Sequence, residues 1–125
     1  MIAVPDEYPQ LVAEDASATY SLDKPVNRRM TLDLVAVHKD SGQEQRLPLS
    51  WYEIINLTKF IEASKDAAAR FIGQQTTSFV FHYDSRHGFA IRWRSQWLNV
   101  SSKAAYQLAE ALKPYLPSTS FSSPQ

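Results

Sequence analysis

The sequence predicts an α+β domain: an antiparallel sheet from two tandem meander-plus-helix units, βββα or ββββα, with helices packed on one face. Three observations carry this. Short runs of alternating apolar and polar residues are separated by turn-forming residues, the period-two signature of half-buried strands. Two longer segments repeat apolar residues every three or four positions and open on serine, as amphipathic helices do. Runs and helices then recur in the same order in both halves of the chain. With 125 residues, 44% of them hydrophobic, the chain is long enough for one sizeable core. A single domain is expected over about residues 10–116, with pseudo-repeats at about 10–73 and 74–116.

Taken in order, "QLVAED" is a candidate first strand and "ATYSLD" the next. After "KPVN" comes "RRMTLDLVAVHK", with Met30, Leu32 and Leu34 on one side and Thr31 and Asp33 on the other. A turn, "KDSGQ", leads to "EQRLPL", where Pro48 suits an edge or a strand end. The first helix opens at Ser50, with Glu53 three residues on, a capping box, and with Leu49 and Ile54 placed as a hydrophobic staple. Ile54, Leu57 and Ile61 continue its apolar face. "KDAAARFIGQQTT" extends that helix or forms a short second one ended at Gly73. Three strands follow, "TSFVFHYD", "GFAIRWRS" and "QWLNV", the first pair joined by "SRHG". The last helix starts at Ser101 or Ser102, aligns Ala105, Leu108 and Leu112, and is stopped by Pro114. The tail, residues 117–125, has the Ser/Pro composition of a disordered end.

The halves correspond at a fixed offset. Leu47-Pro48-Leu49-Ser50 matches Leu98-Asn99-Val100-Ser101, and Ile54, Leu57 and Ile61 meet Ala105, Leu108 and Leu112. Two such units in tandem resemble the PC4/Whirly group of single-stranded-DNA-binding folds. The resemblance covers roughly residues 10 to 116 and is one of topology, with no family sequence motif matched. It implies a curved sheet with helices across its inner side, and single-stranded nucleic acid as the ligand.

Composition narrows the function. Without cysteine, neither a disulfide framework nor a thiolate metal site is possible. The N-terminus has no basic region followed by an apolar run, and no stretch approaches membrane-span length, so a cytoplasmic protein is expected. Only three glycines are present, with no phosphate-cradling loop, and Ser50 and Ser101 are accounted for as helix caps. The chain therefore reads as non-enzymatic, with no cofactor expected. Net charge is zero, but residues 67–125 carry six basic groups against two acidic ones, and residues 1–66 carry seven against eleven. That asymmetry implies a polarised surface.

The candidate site is the polar face of the second half's hairpin. With Phe79, Phe81, Tyr83, Phe89, Ile91 and Trp93 facing the helices, alternation puts His82, Arg92 and Arg94 outward, with Arg86 near the turn. Trp97, Tyr20 and Tyr52 are candidate stacking platforms, and Lys24, Arg28 and Arg29 would extend a basic track. His82, Asp84 and His87 form a metal-like cluster, set aside because Asp84 and Gly88 already suit the hairpin's own geometry. The competing reading uses the aromatic surplus, Trp51, Tyr52 and Trp97, to bind a protein partner or a second copy as a homodimer.

Overall fold

The computed structural model of the protein describes residues 7–66, 71–76 and 78–116. The α+β class holds, and the strands divide into two antiparallel sheets of four. The first contains β1 (Gln10–Glu14), β2 (Ala18–Asp23), β3 (Leu32–His38) and β4 (Glu44–Leu49), in that order, and leads into α1 (Trp51–Ala63). The second contains β5 (Phe71–Gln75), β6 (Phe79–Asp84), β7 (Gly88–Trp93) and β8 (Gln96–Val100), and leads into α2 (Ser102–Leu112). Each unit is thus ββββα. A 3-10 turn, Lys113–Tyr115, follows α2 because Pro114 lacks the N–H that another helical turn needs.

Two expectations about elements are corrected. Residues 71–75 are a strand rather than the tail of a helix, and Gly73 lies inside it. A Cβ on Gly73 would meet the His82 ring at 3.4 Å, so glycine lets β5 sit close beneath that imidazole. The third strand begins at Leu32, which leaves Arg28–Thr31 in the β2–β3 loop. The Ser/Pro tail lies outside the described residues.

Both helices are capped as their sequences dictate. Ser50 Oγ accepts the Glu53 N–H at 3.2 Å, and Ser101 Oγ accepts the Ala104 N–H at 3.2 Å. One hydrophobic core joins the units, and each helix reaches across it to the other sheet as well as its own. Phe60 of α1 lies 5.7 Å from Phe81 and 6.0 Å from Phe89, both on the inner face of the second sheet. In return α2 packs against β1 as well as β7. Tyr20, Leu22, Leu34, Leu47, Phe79, Phe81 and Leu98 are all fully buried within this core.

Asp15 ties the two units together through hydrogen bonds. Its Oδ1 accepts the N–H groups of Ser17 (2.9 Å) and Ala18 (3.0 Å). Its Oδ2 accepts the Tyr20 hydroxyl (2.9 Å) and the backbone N–H of Ser101 (3.1 Å), the N-cap of α2. Burial works to raise the Asp15 carboxyl, but these bonds, led by that from Ser101, hold it below its usual value. A depressed carboxyl contributes stability above its unfolded pKa and loses it as pH falls through the folded one, so the relevant window lies below about pH 4. Asp15→Asn should cost about 1.5–3 kcal/mol near neutral pH and flatten the acid limb of the stability curve. Urea melts near neutrality and near about pH 3 check both parts; equal losses at the two would contradict this assignment.

Candidate nucleic-acid interface

The outer face of the second sheet follows from strand register. Val80 pairs with Arg92, and Arg92 with Trp97, while His82 pairs with Ala90, and Ala90 with Asn99. Alternation sends all of these side chains away from the core. Arg92 is exposed, and its guanidinium carbon lies 5.7 Å from the centre of the Trp97 ring. The His82 ring lies 5.5 Å from the same indole, tilted by 45°. Trp97 keeps 44% of its surface in water, with a guanidinium and an imidazole near its ring. Such a triad offers a π-face for stacking, a fixed cation beside it, and a second nitrogen heterocycle within reach.

Other predicted residues lie elsewhere. Arg94 is not on this strand face: β7 ends at Trp93, and Arg94 with Ser95 makes the two-residue turn into β8. Alternation by twos fails there because the chain has left the strand. Arg94 has φ 59°, and its guanidinium lies 4.5 Å over the Trp93 ring. The structure nevertheless brings Arg92 and Arg94 to one shallow groove, with Gln75 and Val80. Arg86 sits in the turn at the opposite end of the hairpin, where its N–H donates to Asp84 Oδ1 at 2.9 Å. Arg28 and Arg29 are exposed in the β2–β3 loop of the first sheet, a second location rather than an extension of the same row. Lys24 is exposed just after β2.

Tyr20 is not a platform. Ala18, Tyr20 and Leu22 alternate toward the core, and the Tyr20 hydroxyl is used on Asp15 and on the Asn99 carbonyl (3.1 Å). Tyr52 and Trp51 are exposed, at 61% and 52%, in the first turn of α1. Asp84 and His87 pair at 2.8 Å within their own turn, and the N–H of Arg86 together with His87 holds the Asp84 carboxyl below its usual value. Among the described residues no three histidine or acidic side chains converge to hold a metal. Among the described residues no helix is long and apolar enough to cross a membrane.

The first sheet's outer face has the opposite character. Arg46 donates to Asp23 (2.8 Å), Asp33 (3.0 Å) and Glu44 (2.9 Å), so one cation serves three carboxylates. The Arg46 bond holds the Asp23 carboxyl low. The first sheet's outer face thus carries three carboxylates around one guanidinium, and the second sheet's carries Arg92 beside an exposed indole.

Sequence reading passed over a cleft of about 420 Å3 that involves Arg94, Trp93, Glu53 and Asn27. One signal for it was legible. A two-residue hairpin turn ordinarily carries Gly, Asn or Asp, and "WRSQ" has none. Comparison with protein-family models, with curated proteins and with solved structures finds no match to this chain.

Proposed function

We propose that the chain is a non-enzymatic, cytoplasmic binding protein that holds single-stranded DNA or RNA against the outer face of the second sheet. The observation that carries this reading is the exposed Trp97 flanked by Arg92 and His82 on an open sheet surface. Phosphates would be neutralised by Arg92, while bases stack on the indole. The acidic face around Arg46 repels a polyanion, which directs the strand to one side of the molecule. The paired ββββα units support the likeness to the PC4/Whirly group.

Fluorescence anisotropy with labelled oligothymidine at two salt concentrations tests the proposal. Affinity should fall with added salt. Arg92→Ala should flatten that dependence, and Trp97→Ala should cost about 1–3 kcal/mol per stacked base. Absence of binding at low salt would remove the hypothesis. A second reading, an assembly surface for a partner or a second copy, is favoured by the exposed Trp51 and Tyr52 beside the 3-10 turn, where Trp51 Nε1 donates to the Tyr115 carbonyl at 3.2 Å. Light scattering separates the two, since a strict monomer that binds oligonucleotide fits only the first.

A further inference from the structure

The groove that Arg92 and Arg94 share does not end at the sheet. It has Ser78 and Arg94 in common with the cleft of about 420 Å3, so the two are neighbours along one surface. The cleft is lined from the β2–β3 loop, the end of β4, the first turn of α1, Ser78 before β6 and the β7–β8 turn. Its walls are of two kinds. Met30, Pro48 and Trp93 supply apolar surface, and Asn27, Glu53 and Arg94 supply polar groups. That volume, with that mixture of walls, has room for a small ligand with apolar and polar groups.

Two features point to what enters. Arg94 is held in the left-handed region, which L-residues other than Asn and Asp seldom occupy and which glycine would adopt without strain. Such strain persists where the side chain is needed, and here the guanidinium pairs with no carboxylate among the described residues. Glu53 is the second feature. It is 5% exposed and lines the cleft, accepting from the hydroxyls of Ser50 and Thr76, the latter at 3.1 Å. Each carboxylate oxygen retains a further lone pair, so Glu53 can still accept from a ligand. An amino group satisfies it, whereas a carbonyl or a phosphate is repelled.

We propose that this cleft seats one base of a bound strand, its exocyclic amine donating to Glu53 and its phosphate meeting Arg94. The inference rests on the sheet-face reading above and adds a base preference to it. Cytosine, adenine and guanine carry such an amine; thymine and uracil do not.

The test is anisotropy at low salt with labelled oligodeoxycytidine and oligothymidine of equal length. The wild type should bind the cytidine strand about tenfold more tightly, as expected for one well-placed polar base contact. Glu53→Gln keeps the helix cap, which tolerates glutamine at that position, and should abolish the preference, weakening the cytidine strand and easing the repulsion of a thymine carbonyl. Arg94→Gly should weaken both strands while raising Tm by a few degrees, because the backbone strain is released. Arg92→Ala should weaken both strands equally and preserve the preference. Equal binding of both strands, with no effect of Glu53→Gln, would overturn the cleft and leave the sheet-face reading standing. Failure of the wild type to bind either strand would overturn both.

Discussion

Gly88→Ala should destabilise the protein by about 3–4 kcal/mol, one of the largest single-residue effects expected here. Gly88 closes the β6–β7 hairpin with φ 87°, a conformation that costs an L-residue about 1–2 kcal/mol. The larger part is steric. A Cβ would lie 2.8 Å from the Val100 carbonyl oxygen, 3.2 Å from the Ser102 nitrogen and 3.3 Å from the Ser101 Cα. All three are backbone atoms at the point where β8 becomes α2, so relief requires moving the helix start. Gly42 is the matched control: its φ is 71°, but nothing lies within 4 Å of its would-be Cβ. Gly42→Ala should therefore cost only the conformational part, about 1–2 kcal/mol. Urea melts of both variants measure the difference directly. Equal costs would mean that the α2 start yields freely.

Arg46→Ala is expected to cost about 2–3 kcal/mol. Breaking a buried ion pair by removing one partner typically costs about 3–5 kcal/mol, discounted here because the Arg46 side chain is itself 34% exposed. What remains is a buried Asp33 carboxylate with the Val26 N–H at 3.3 Å, beside an Asp23 that has lost the same cation. Arg46→Lys should rescue little, because an ammonium cannot fork across three carboxylates as a guanidinium does. Adding Asp33→Asn to Arg46→Ala should recover part of the loss, and a double-mutant cycle from thermal melts quantifies that coupling. Strictly additive effects would show that the pair is not what stabilises this face.

These variants also indicate which parts of the molecule local sequence signals could reach. Both helices were legible from Ser50 and Ser101, because a cap is a short-range device, as was the inward face of β6 and β7, because period two persists within a strand. The segment Phe71–Gln75 was not. It is five residues long, contains a glycine, and follows "KDAAAR", whose composition favours helix; pairing with β6 overrides that local preference. Arg94 was misassigned for the complementary reason, since alternation carries no mark of where a strand stops. Of the candidate site, the Arg92, Trp97 and His82 cluster follows from sequence plus register. Glu53 was legible as a cap, but its place in the cleft depends on Thr76, Trp93 and the β2–β3 loop arriving from distant parts of the chain. Asp15 escaped notice because its bond to Ser101 spans 86 positions.

The bridging of both sheets by each helix has a consequence for how this chain can come apart. Phe60 roofs strands that are synthesised after it, and α2 returns to a strand made near the beginning. Each half, taken alone, would lose part of the cover over its own oily side. The protein is in effect two interdependent associates fused into one polypeptide, and their covalent connection replaces a concentration-dependent encounter with an intramolecular one.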